Sequence, residues 1–299
     1  MITLTKIEKA GLEKLKKLHE TGTLVGVFET TIEDYHNAPG ISSTMLKWAD
    51  NSPATYRHFV LNPEPPSEAM TFGNILHTLV LEPEKFHDRY FVAPEGMDRR
   101  GTNAWKELVS QHKGKTVIKF TEFTRAKEMA DQARLHPRAA LLDGLKELSF
   151  FWKDPKTGLL CKCRPDNLTS KGVIVDYKTA EQVYPARVWS RQLASYFYHV
   201  QAAFQLDGVV QAMQQIGHQF AEGMKPAKVV HYAQEKEGAN LVKPWLVSES
   251  TIQLGRRSYL KILSTIKKCE EAQTWPGYPA KIEEVSAPDY LYEGELSDE

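Results

Sequence analysis

Arg164-Pro165-Asp166 and, ten residues on, Val173-Ile174-Val175-Asp176-Tyr177-Lys178 are the stretches on which the fold turns. Residues i and i+2 of a strand project to one face. Asp176 and Lys178 therefore share a face, while Val175 and Tyr177 take the other. The run Asn167-Leu168-Thr169-Ser170-Lys171-Gly172 between the two stretches is short, polar and closed by Gly, which reads as a hairpin connection. Folding that hairpin brings Asp166 level with Asp176. Two carboxylates and one ammonium then meet on a sheet whose other residues are mostly apolar. Paired carboxylates are hard oxygen ligands suited to Mg²⁺. A nearby Lys can offset charge that develops on a phosphate under attack. The pattern fits metal-dependent phosphodiester hydrolysis, with DNA as the substrate class it suits best.

An Asp-x-Lys at a strand end is also an ordinary surface salt bridge. Ile174 and Val175 lead straight into Asp176, which argues for the end of a buried strand. Glu147 opens the apolar run 148–152, and the turn Asp154-Pro155-Lys156-Thr157-Gly158 joins it to Leu159-Leu160. Three consecutive antiparallel strands would each deliver an acid to one face. For Glu147, an exposed strand start is the competing reading.

The chain has 299 residues, 41% hydrophobic and 25% charged, enough for one large or two small globular domains. No apolar run approaches the ~20 residues of a membrane span, and the first residues show no signal-peptide apolar core. Cytoplasm is the expected location. The three cysteines, Cys161, Cys163 and Cys269, are too few for a disulfide framework or for a zinc or iron–sulfur site. A net charge of zero is unusual for a DNA partner, but its distribution is uneven. Seven acids follow Lys281, and residues 1–280 hold 37 basic against 31 acidic groups. Residues 98–138 alone hold ten Lys or Arg and five acids.

Periodicity predicts helices over residues 4–20, from 41 to a Ser52-Pro53 stop, and over 68–81, 102–112 and 121–136, with a short strand at 116–120. The strand meander runs from 147 to 179. One long helix follows from Pro185 towards Ile216, then strands at 228–234 and 244–248 and a final helix over 251–272. The order describes one α/β domain over 41–280, with an N-terminal helical elaboration in 1–40 and an acidic tail in 281–299.

That order, with Pro165-Asp166 and Asp176-Tyr177-Lys178, resembles the PD-(D/E)XK nuclease superfamily and its restriction-endonuclease-like core of a three-strand antiparallel meander, a long helix and further strands. Further segments are similar to the RecB-like branch, and within it to the RecE-type exodeoxyribonuclease VIII of phages and prophages. They are Gly73-Asn74-Ile75-Leu76-His77, Gln192-Leu193-Ala194-Ser195-Tyr196, and Ser42-Ser43-Thr44-Met45-Leu46 followed by Pro53 and Tyr56. The stretch from Tyr198 to Gly208 and Trp275-Pro276-Gly277-Tyr278 resemble the RecE type in particular.

The resemblance implies roles. Asp166 and Asp176 would hold Mg²⁺, with Mn²⁺ as a substitute, and the Tyr177 carbonyl would be a further ligand. His77 would ligate the metal or hold a metal-bound water; otherwise it is a polar helix residue satisfied by a backbone carbonyl. Lys178 would orient the attacking water and offset charge at phosphorus, with Glu147 as an additional acid. Gln192 and Tyr196, one helical turn apart, would both face the site, or Tyr196 would simply pack in the core. Ser42, Ser43 and Thr44 would bind a terminal phosphate at a helix N-terminus or cap the helix. The implied activity is 5′ to 3′ resection of duplex DNA ends without ATP, leaving 3′ tails for a RecT-type annealing protein. A homo-oligomeric ring of three or four chains, lined by residues 99–138, is the implied assembly. A PD-(D/E)XK endonuclease and a non-catalytic DNA-binding protein of the same fold are the alternatives.

Overall fold

The computed structural model describes residues 7–64, 68–220 and 225–287. Most of the acidic tail expected in 281–299 lies outside these residues.

At the centre is a five-stranded sheet in the order Val242–Leu246, Lys228–Glu235, Val173–Ala180, Asn167–Leu168 and Leu145–Lys146. Val173–Ala180 is its middle strand, and residues 174–177 are almost completely buried. Lys228–Glu235 runs parallel to it, with Val175 opposite Val230 and Asp176 opposite His231. Parallel neighbours need a crossover, which the helices Ala186–Ser195 and Tyr198–Gln215 supply. A second sheet has the order Glu8–Lys9, Gly26–Glu29, Leu148–Lys153 and Leu160–Cys163.

The alternation of strand side chains decides the layers. Val175, Tyr177, Val230 and Tyr232 pack with Ile75, Leu76 and Val80 of the helix Glu68–Leu81 and with Met129 and Ala133 of the helix Phe120–Leu135. On the second sheet, Phe150 and Trp152 face Phe204 and the rest of the helix Tyr198–Gln215. Phe151 points the other way, to Leu15, Phe28 and Tyr35. The helix comes so close to the second sheet that a Cβ on Gly208 would lie 2.4 Å from the Trp152 ring.

The structure corrects four expectations. Leu160–Cys163 is not the middle of a single meander: it pairs with Leu148–Lys153 in the second sheet, and the two-residue strand Asn167–Leu168 pairs with Val173–Ala180 instead. Pro165 has no N–H for a ladder, and the chain changes sheets across Arg164-Pro165. The segment 1–40 is not only helical, because Gly26–Glu29 pairs antiparallel with residues 148–151. The Ser52-Pro53 stop is a junction: Ser52 ends the helix Ser43–Asn51, and its hydroxyl then accepts the Thr55 N–H of the helix Pro53–Leu61. The long helix from Pro185 is two helices, broken at Phe197, whose φ is 66°. A left-handed backbone costs a non-glycine residue about 1–2 kcal/mol, and packing of the Phe197 ring against the main core offsets it.

Candidate metal centre

Sheet register builds the site. Asn167 pairs with Val175 and Leu168 with Ile174, so one further step places Asp166 opposite Asp176. On its other side Asp176 lies opposite His231. Lys146 pairs with Asn167, and the Glu147 N–H donates to the Asp166 carbonyl at 3.1 Å. Glu147, Asp166, Asp176 and His231 therefore stand side by side along adjoining segments of the sheet.

The carboxylates divide into two groups. His77 Nδ1, from the helix Glu68–Leu81, lies 3.6 Å from Asp166 Oδ2, and its ring stands edge-on to Tyr177 with centroids 5.2 Å apart. One ligand atom each from His77, Glu147 and Asp166 fall within 4.8 Å of one another. Opposite ligands of a Mg²⁺ or Ca²⁺ ion stand about 4–5 Å apart, so one ion can join all three. Asp176 is not one of this group; its Oδ2 lies 2.8 Å from Lys178 Nζ. Lys178 also donates to Gln201 Oε1 at 3.1 Å and lies 4.7 Å above the Tyr198 ring. Asp166 Oδ2 accepts the Tyr177 N–H at 2.7 Å.

Glu147 depends on an arginine. Its backbone is left-handed, with φ 55°, and its Oε2 accepts from Arg164 Nε at 2.8 Å. The Arg164 side chain is buried, and its Nη1 donates to the Thr30 carbonyl and hydroxyl, each at 3.0 Å, and to Ser149 Oγ at 3.2 Å. Breaking a buried ion pair costs about 3–5 kcal/mol. Arg164→Gln is therefore expected to lower the melting temperature by about 5 °C or more, measured by calorimetry without metal. It is also expected to raise the Mg²⁺ concentration needed by any metal-dependent activity. A variant as stable as the parent would show that Arg164 does not hold Glu147.

Burial pushes Asp166 well above the usual carboxylate range, and the Asp176 and Glu147 charges push it further. Burial also raises Glu147, despite Arg164. Burial works against ionised Asp176 too, but Lys178, His231 and His77 together outweigh it and hold Asp176 below its ordinary value. Burial, followed by the Lys178 charge, lowers His77 to about 4, leaving its imidazole neutral and able to ligate. Two carboxyl groups whose charged forms burial disfavours, beside a neutral imidazole, form a donor set that a divalent cation would complete. The residues present fit such an ion.

Other residues singled out from sequence lie further out. Gln192 donates to the Gln182 carbonyl at 2.6 Å. Tyr196, 55% exposed, stacks on Tyr198 with centroids 5.4 Å apart and so reaches Lys178 only through that ring. Ser42 occupies the N-cap position of Ser43–Asn51, with Ser43 half-buried and Thr44 exposed beside it. Arg164, Tyr198, Gln201 and His231 also touch the site, although the sequence assigned none of them a role. Arg164 stands beside Pro165-Asp166, and Tyr198 and Gln201 stand in the RecE-like stretch from 198 to 208. His231 is fully buried, and among the described residues neither ring nitrogen has a hydrogen-bond partner. Only the register with Asp176 reveals it.

A family model described as a PDDEXK-like domain of unknown function, DUF3799, matches residues 42–288. The chain belongs to this PDDEXK-like family. The PDDEXK-like fold is also seen in a crystal structure from Eubacterium rectale described as a putative exonuclease. That structure superposes with a TM-score of 0.57 at 13% identity, over 90% of this chain and 98% of the other. No curated protein matches the sequence. Among the described residues, no helix of this PDDEXK-like protein is long and apolar enough to cross a membrane.

Proposed function

We propose that this PDDEXK-like protein is a Mg²⁺-dependent DNA exonuclease acting on duplex ends in the 5′ to 3′ direction, in the manner of the RecE type. The observation that carries the reading is the His77, Glu147 and Asp166 donor group beside the Asp176–Lys178 pair. A bound divalent ion would supply Lewis-acid charge and a more acidic water. Asp166, Glu147 and His77 would hold that ion, with the Tyr177 carbonyl the further ligand that the family resemblance implies. Asp176 fixes the Lys178 ammonium, which offsets charge as the phosphate is attacked. The Eubacterium rectale structure, with its exonuclease description, favours action from ends.

The deciding experiment compares linear duplexes, labelled separately at each 5′ and 3′ end, with a covalently closed plasmid, in Mg²⁺, in Mn²⁺ and in EDTA. The expected result is metal-dependent release of the 5′ label and an intact plasmid. Equal cutting of the plasmid would make the protein an endonuclease. No cleavage in either metal would leave a DNA-binding protein of the same fold. The accompanying proposal is a ring of three or four chains feeding 3′ tails to an annealing protein, and a monomer by light scattering would overturn it.

A further inference from the structure

The helix Ala186–Ser195 lies over the face of the sheet that carries Asp176 and Lys178. Its Trp189 is buried against His231, with ring centroids 5.8 Å apart. Its opposite side is exposed and carries Arg187 and Arg191. These residues are four apart and so lie on one face, about 6 Å along the axis from each other. Among the described residues neither guanidinium makes an ion pair or a hydrogen bond. Four of the ten basic side chains in residues 99–138 are engaged instead: Arg100 is bound to Glu122, Lys127 to Asp131, and Arg125 and Arg134 to backbone carbonyls. Glu181 is the only acid between residues 181 and 195.

Exposed aromatic rings stand at both ends of this helix. Before it, Tyr184 is 65% exposed and stacks on Trp245 at an interplanar angle of 13°, with Lys243 Nζ 5.2 Å from the Trp245 ring. After it, Tyr196 stacks on Tyr198, the ring beneath Lys178, and Lys47 Nζ lies 5.9 Å from the Tyr196 ring. Two exposed aromatic residues thus flank two unsatisfied cations along a path that ends at Lys178. Paired bases hide their faces inside a duplex, whereas unpaired bases can stack on aromatic side chains while cations follow the backbone.

From this juxtaposition we infer that Tyr184, Arg187 and Arg191 form a single-stranded DNA track leading to the metal centre. Resting on the nuclease reading, this makes an unpaired strand, separated from the duplex, the form of substrate held outside the site. The test measures binding in EDTA by anisotropy, with a fluorescein-labelled oligothymidylate and a blunt duplex hairpin, at several salt concentrations. For the Arg187→Gln/Arg191→Gln double variant, the slope of log affinity against log salt for the single strand is expected to fall by about 1.4, or about 0.7 per lost phosphate contact. Tyr184→Ala is expected to weaken single-strand binding by about 5- to 100-fold with the slope unchanged. Both variants carry surface substitutions, and unchanged melting temperatures would confirm that they fold.

Single-strand affinity equal to the parent's in the double variant would overturn the track. So would losses as large for the hairpin as for the single strand, which would make this a duplex surface. Cleavage by the parent in Mg²⁺ is scored separately. Inactive protein with a working track would sink the nuclease reading alone, and active protein with no effect of the variants would sink the track alone.

Discussion

Asp166→Asn should abolish metal-dependent cleavage and at the same time raise the melting temperature of the metal-free protein at neutral pH. Asp166 joins His77 and Glu147 within bonding reach of one ion. Outer-shell changes at metal sites already cost about 10–100-fold, so removing a ligand carboxylate is expected to cost more than about 100-fold in activity. Stability moves the other way. Burial and the neighbouring carboxylates raise the folded-state pKa of Asp166 above its unfolded value. The folded protein therefore holds this proton more tightly than the unfolded chain does. Below the unfolded pKa both states are protonated and no penalty exists. As pH rises through the folded pKa, stability is lost. Asn cannot ionise and escapes that loss, while its side-chain oxygen can still accept the Tyr177 N–H bond that Asp166 accepts at 2.7 Å. The gain over the parent should be absent near pH 3, grow towards neutrality, and reach about 2–4 °C per kcal/mol recovered. Saturating Mg²⁺ should reverse the order by stabilising only the parent, by about 2.7 kcal/mol at a hundred times Kd. Thermal melts in EDTA and in Mg²⁺ across pH check this. A variant that melts lower than the parent in EDTA, or that keeps more than a few per cent of the activity, contradicts the assignment.

Much of this site is legible in the chain because it depends on register. The hairpin from Asp166 to Asp176 needs only a two-fold period and a polar turn ending in Gly172, and the observed pairing agrees with it. The helix 68–81, whose apolar residues meet Val175 and Tyr177, has the bounds expected from its pattern. What could not be read is set by contacts remote in sequence. Nothing local to Asp176 says that its carboxylate turns to Lys178 while Asp166 turns to His77. Packing by helices on opposite faces of the sheet decides that. The left-handed backbone at Glu147 and Phe197 is equally silent, because both residue types ordinarily avoid it. Phe197 ends the helix one residue after Tyr196, which leaves Gln192 and Tyr196 at the outer edge and brings Tyr198 and Gln201 to Lys178. A helical period carried through the break assigns the contact to the wrong turn.

Lys178→Ala should lower the cleavage rate by on the order of 10²–10³-fold, with much less change in the Mg²⁺ concentration that gives half the maximal rate. Lys178 does not belong to the donor group of His77, Glu147 and Asp166, so its loss removes stabilisation of the transition state more than affinity for the ion. The protonation state decides its chemical role. Burial alone would lower its pKa, but Asp176 and then Asp166 outweigh burial and raise it. Lys178 is therefore an ammonium throughout the neutral range. Its contribution to stability is complete below the unfolded lysine value and is lost only as pH climbs through the raised folded one. A permanent ammonium cannot accept the proton of an attacking water, so it acts by charge and hydrogen bonding. Truncation also strands the buried Asp176 carboxylate, at a cost of about 3–5 kcal/mol. Rates must therefore be taken well below the variant's own melting temperature, under single-turnover conditions. Lys178→Arg separates charge from base chemistry, since arginine stays protonated but has a different shape. If charge is what matters, the Arg variant should be measurably faster than the Ala variant at every pH tested. Equal inactivity of the Ala and Arg variants, with a parent rate that rises along a lysine titration, would make Lys178 a base and reverse its assignment.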